Sequence, residues 1–180
     1  MKKKNIKRKT KETDIVVNIK LGGGGYADIT LPDKFLKHML ETLARFWGID
    51  LVISAKGDLH HHINEDVAIT LGRALRDAIK EKSVRRIGSA NVAMDDALVN
   101  VTVDLVDRPY FDVNLPDEMF IHFLRSFALE GRFTLHNIIL KGKNTHHIIE
   151  ACFKALGLAL KDATTPSNAL LSTKGKAKWR

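Results

Sequence analysis

Two stretches of this 180-residue chain are variants of one another, which restricts the fold to two copies of one unit. Leu31-Pro32-Asp33, followed by His38 and Leu40, returns as Leu115-Pro116-Asp117, followed by His122 and Leu124, an offset of 84. His61-His62-Ile63-x-Glu65 returns as His146-His147-Ile148-x-Glu150, an offset of 85. The second match runs on through Leu71-Gly72-x-Ala74-Leu75-x-Asp77-Ala78 against Leu156-Gly157-x-Ala159-Leu160-x-Asp162-Ala163. Matches of this length, in the same order, mark a duplication. The expected units are residues 1–86, with a basic N-terminal segment, and 87–180, fused into one compact domain.

The element pattern repeats as well. Asp14–Leu21 alternates as a half-buried strand does, with Ile15, Val17 and Ile19 on one face. Gly22–Gly25 then predicts a turn into a second strand near Tyr26–Leu31, which reads as a hairpin. Pro32-Asp33 opens a helix that runs to about Trp47, and Phe35, Leu36, Met39, Leu40 and Leu43 form its apolar face. Leu51–Ala55 reads as a strand, and a helix from His61 closes the half. The second half predicts strands near Gly88–Met94 and Leu98–Val106, a helix from Asp117, a strand at Phe133–Leu140 and a helix over Thr145–Ala163. The fold class is therefore α+β: two β-β-α-β-α half-domains with helices packed on a sheet.

Residues i and i+4 of a helix share a face, whereas neighbours diverge by about 100°. His61 can thus reach one metal with Glu65 while His62 turns elsewhere. His146 with Glu150 repeats the arrangement, and His147 diverges. A lone histidine on an amphipathic helix is usually an ordinary hydrogen-bonded residue, but two His-His-x-x-Glu copies at matching positions point to two metals. Nitrogen and carboxylate donors without thiolate suit Mn, Fe, Co, Ni or Zn.

The net charge of +8 lies at the ends. Residues 1–11 hold seven basic side chains and the last seven hold four; without them, 18 basic residues face 21 acidic ones. Basic ends of this kind read as solvated tails, and the slightly acidic body excludes the basic folded face of a nucleic-acid-binding module. No apolar run reaches the roughly 20 residues of a membrane span. A single cysteine, Cys152, allows no internal disulfide, so a reducing cytoplasm is the expected home.

The motifs together resemble the imidazoleglycerol-phosphate dehydratase family. The resemblance rests on Gly142-Lys-Asn144-Thr-His146-His147-Ile148-Ile149-Glu150-Ala151 and on His61-His62-x-x-Glu65-Asp66 after Ala55-Lys-Gly57-Asp58. It extends to Arg8-Lys-Thr10-Lys11-Glu12-Thr13, Arg85-Arg86-x-Gly88, Asp107-Arg108-Pro109-Tyr110, Leu135-His136 and Ser172-Thr173-Lys174-Gly175. The fold this implies resembles the second domain of ribosomal protein S5, duplicated. The implied activity is that of a lyase of histidine biosynthesis, which dehydrates D-erythro-imidazole glycerol phosphate to imidazole acetol phosphate. The resemblance also implies two Mn(II) ions per site and a homo-oligomer of 24 subunits with sites at subunit interfaces.

Carried over residue by residue, the implied metal ligands are His38, His61, His62, Glu65, His136, His146, His147 and Glu150, with the division of His38, His62, His136 and His147 between the ions left open. The repeat alone pairs His38 with His122, but the resemblance nominates His136, and His122 then reads as a helix residue held by packing or a hydrogen bond. Glu12 is implied against the substrate, with Glu65 and Glu150 as the other site carboxylates. Arg86, Arg108, Lys154, Ser172, Thr173 and Lys174 are implied at the phosphate, where Arg forks match the geometry and Lys supplies a point charge. The proton to be removed has no carbonyl beside it. A metal that holds the imidazole as its anion would ease expulsion of the adjacent hydroxyl, and the diazafulvene-like species so formed is far more acidic at that carbon.

Three departures from the family pattern stand out. Lys37 replaces a usual aspartate, the stretch before His61 is short, and His60 occupies a place where aspartates are usual. Two rival readings use part of the same pattern. Another two-metal enzyme, such as a hydrolase, needs the ligands but not the cations, and a nucleic-acid-binding module needs a basic body.

Overall fold

The structure, a computed structural model, describes residues 3–80 and 83–167. In the first half these form β1 (Lys4–Lys9), β2 (Thr13–Lys20), β3 (Ala27–Thr30), α1 (Lys34–Trp47), β4 (Asp50–Gly57) and α2 (His60–Ile79). The second half repeats the series as β5 (Ile87–Met94), β6 (Ala97–Asp104), β7 (Tyr110–Asp112), α3 (Glu118–Gly131), β8 (Thr134–Lys141) and α4 (Thr145–Ala163). Two four-stranded sheets result, ordered β1-β2-β4-β3 and β5-β6-β8-β7. The α+β class and the duplication stand as the repeat predicts.

Each half carries one strand more than the expected five elements. In the first it is β1, which the basic segment forms instead of remaining a solvated tail. Lys4-Asn5-Ile6-Lys7-Arg8-Lys9 holds one apolar residue, so no alternation betrays it, yet it pairs antiparallel along β2. In the second half it is the three-residue β7, parallel to β8. The hairpin expected of β2 and β3 is also absent. Both edges of β2 are already taken, by β1 and β4. The chain therefore swings through Gly22 and Gly25, at φ 67° and 81°, and lays β3 parallel on the far side of β4. Asp50 receives the Gly24 amide at 2.9 Å and fixes that turn.

One face of each sheet is covered by helices. Along β2, Ile15, Val17 and Ile19 are fully buried while their neighbours are not. Asp33 caps α1 by accepting from the amides of Phe35 and Leu36, and Asp117 caps α3 from Met119 and Phe120. The helices then pair across the halves: α1 packs on α4 and α2 on α3. The repeated glycines allow this approach. A Cβ on Gly72 would lie 2.6 Å from the Phe127 carbonyl, and one on Gly157 would lie 2.7 Å from Phe46 Cβ. Around these crossings each buried Leu or Phe contributes about 1.5–3 kcal/mol of apolar burial.

The halves differ beneath α2 and α4. In the first, buried Asp66 accepts from Arg8 Nε at 2.7 Å and from the Thr13 hydroxyl, anchoring α2 to β1 and β2. The equivalent positions in the second half are Val92, Ala97 and Ala151, all apolar. Asp66→Ala is thus expected to cost about 2–3 kcal/mol, because Arg8 and Thr13 lose a charged acceptor. Copying the second half with Arg8→Val, Thr13→Ala and Asp66→Ala together should recover most of that loss. Thermal unfolding of both variants checks this; a triple variant less stable than the single one would contradict it.

Candidate metal centre

Cross-half pairing of the helices brings the histidines together in two equivalent groups. In one, His38 from α1 meets His146 and Glu150 from α4. The Glu150 carboxylate lies 3.2 Å from His146 Nε2 and 3.6 Å from His38 Nε2. In the other, His122 from α3 meets His61 and Glu65 from α2, with the His61 and His122 rings 5.2 Å apart. Within each group the candidate donor atoms lie within 4.8 Å of one another. Each therefore draws one histidine from the first helix of one half and a His/Glu pair from the second helix of the other.

Several contacts hold these groups in place. Asn144 caps α4 by accepting from the amides of His146 and His147, so the first turn that carries these histidines is fixed. Phe35 stacks on the His146 ring at 4.9 Å. Asn64, beside Glu65, donates to Asp33 at 2.9 Å and ties α2 to the cap of α1. Burial opposes ionisation of Glu150, but the Lys154 ammonium at 2.9 Å, with His38 and His146, outweighs it and holds the carboxyl below the usual range.

The diverging histidines are held differently. His147 Nδ1 lies 2.6 Å from Asp96, in the β5–β6 turn, and Asp96 also accepts from the amides of Lys143 and Asn144. The His147 contact first, and then the two amides, hold the Asp96 carboxyl down at about 2. His62 Nδ1 lies 2.9 Å from Asp58 and 3.8 Å from Glu12, a third group of potential donors. Hydrogen bonding to Asp58 is the main reason that the His62 pKa rises. For His62 a carboxylate on Nδ1 leaves Nε2 as the nitrogen available to a metal, whereas His147 Nε2 also lies 3.4 Å from Asp95.

Known proteins are similar to this chain over nearly its whole length. A sequence model of the imidazoleglycerol-phosphate dehydratase family matches residues 32–160. The imidazoleglycerol-phosphate dehydratase of Acetivibrio thermocellus is 45% identical over 97% of this chain and 98% of its own length. That of Bacillus subtilis is 44% identical over 97% and 99%. The chain belongs to the imidazoleglycerol-phosphate dehydratase family. Solved structures agree: the Pyrococcus furiosus dehydratase superposes with a TM-score of 0.84 at 45% identity, covering 94% of this chain and 99% of its own. The Staphylococcus aureus dehydratase gives 0.83 at 33% identity, covering 92% and 100%. As a dehydratase the protein is an enzyme, a hydro-lyase.

Not every residue nominated for the dehydratase site converges within one chain. Along β8, Leu135 and Asn137 are buried toward the helices, so strand alternation turns His136 to the opposite face. It stands there 3.5 Å from Asp112 and 5.3 Å from the Tyr110 ring, outside all three donor groups. His122, rather than His136, is the histidine that lies with His61 and Glu65. The repeat held that signal, because His122 is the positional mate of His38.

The expected phosphate cations are dispersed. Arg86 makes a forked pair with Asp104 at 2.6 and 3.1 Å, Lys154 is paired with Glu150, and Arg108 is exposed. Ser172, Thr173 and Lys174 lie outside the described residues. Of the family departures, half-buried Lys37 faces Glu41 at 3.8 Å, and His60 is an exposed first residue of α2. Cys152 is buried on α4 and its thiol is pushed up to about 12 by burial, so it supplies no ligand. No helix among the described residues is long and apolar enough to cross a membrane.

Proposed function

We propose that this chain dehydrates imidazole glycerol phosphate to imidazole acetol phosphate in histidine biosynthesis, as a cytoplasmic homo-oligomer with two Mn(II) ions per site. The observation that carries the reading is the pair of equivalent His/His/Glu groups in a chain of the dehydratase family. Their donors fit a divalent ion: imidazole nitrogens and one carboxylate converge, and the cysteine is excluded by burial.

On this reading His38, His146 and Glu150 hold one ion, and His61, Glu65 and His122 the other. His62 and His147 complete the sets from neighbouring subunits, giving three histidines and one glutamate per ion and leaving positions for substrate. Such ions, when bound, would supply Lewis-acid and template chemistry toward the imidazole ring. The chain's own groups do the rest. Glu12 is exposed in the turn before β2, within 3.8 Å of His62, where a carboxylate can take or return the proton beside the ring. Arg86, Arg108, Lys154 and the C-terminal Ser172, Thr173 and Lys174 are proposed to hold the phosphate. The forked Arg86–Asp104 pair orients that planar guanidinium.

The test is to incubate metal-reconstituted protein with imidazole glycerol phosphate and identify the product. The keto product with no release of inorganic phosphate is expected, lost on chelation and restored by Mn(II). Phosphate release without keto product would make the protein a hydrolase instead.

A further inference from the structure

The two diverging histidines are anchored by carboxylates from different places, and that difference has a use. The repeat pairs Glu12 with Asp96, each in the turn that joins the first two strands of its half, and it pairs Asp58 with Lys143, each just before a ligand helix. In the second half the turn carboxylate does the anchoring: Asp96 sits 2.6 Å from His147 Nδ1 and is locked by two backbone amides. In the first half the turn carboxylate stands off at 3.8 Å, and Asp58 takes His62 Nδ1 at 2.9 Å. The Asp58 amide donates to the Glu12 carbonyl at 3.1 Å, so the two loops are joined through backbone and the Glu12 side chain plays no part in the junction.

We propose that Asp58 is a positioning residue that replaces the turn carboxylate as the anchor of His62, so that His62 presents Nε2 while Glu12 stays available to the substrate. This rests on the reading above, in which His62 is a ligand and Glu12 meets substrate. The duplication supplied two equivalent turn carboxylates. One is spent on orienting a histidine, and the other is released because a second acid, absent at Lys143, took over the task. A site whose two metals are related by the rotation that relates the duplicated halves thereby acquires one unanchored carboxylate rather than two, which a reaction that moves a proton at a single carbon requires.

Mn(II) titration of the whole enzyme, read by electron paramagnetic resonance, tests this apart from activity. Asp58→Ala should weaken one of the two ions about tenfold, as loss of an outer-shell partner does, and leave the other unchanged as a control for folding. Glu12→Gln should lower kcat while both affinities stay within about twofold of the unmodified enzyme, far below the loss of such a partner. In the double variant the weakened ion should weaken further than the two single changes predict, because Glu12 is the fallback partner of His62. Unchanged binding in Asp58→Ala would overturn the proposal, as would a Glu12→Gln variant that weakens an ion as much as Asp58→Ala does. An unmodified enzyme that binds no Mn(II) would overturn the metal reading itself, a separate failure.

Discussion

His122→Ala is expected to lose one of two bound Mn(II) ions and to abolish turnover, whereas His136→Ala keeps both. His122 lies with His61 and Glu65, its ring 5.2 Å from that of His61. Removing it leaves a two-residue set, too few donors from this chain to retain the ion. His136 lies on the uncovered face of its sheet beside Asp112. Its loss should change stability by about 1 kcal/mol, a typical point-change effect. Elemental analysis after exhaustive buffer exchange counts the ions directly. Loss of an ion from His136→Ala, with two retained in His122→Ala, would restore the strand histidine as the ligand.

The second large effect is expected of His62→Ala and His147→Ala, which should each lose activity and lower the fraction of large assemblies. Both rings have Nδ1 occupied by a carboxylate, at 2.9 and 2.6 Å, and neither belongs to the two His/His/Glu groups of its own chain. On the proposed reading, ligands placed this way serve a site completed by a neighbour. Light scattering that finds the same large particle for both variants as for the unmodified enzyme would show that the sites are self-contained.

Much of this was legible because duplication leaves a signal that single residues do not. The His-His-x-x-Glu copies located both helices of the donor groups, and Leu71-Gly72 and Leu156-Gly157 marked where helices from opposite halves come close. The pairing itself was not legible: helical spacing joins His61 to Glu65 but cannot say that α3 lies alongside. His136 shows the cost of this. The family resemblance put it forward while the repeat put forward His122; the strand alternation around Leu135 and Asn137 turns His136 away, and the α2–α3 pairing seats His122 beside His61 and Glu65. The missed strands have a physical cause. β1 has one apolar residue among six, because its outward positions are Asn5, Lys7 and Lys9 and its inward Arg8 is neutralised by Asp66. The false hairpin arose because a glycine run predicts a turn but not which edge remains free. Applying the 84-residue offset to the strands themselves would have supplied both β1, from β5, and β7, from β3.

Anomalous scattering from Mn(II)-loaded crystals tests the central claim most directly. Two peaks per chain are expected, one among His38, His146 and Glu150 and one among His61, Glu65 and His122, each also touched by a histidine of another subunit. A peak at His136, or ligands drawn from a single half of the chain, would contradict it.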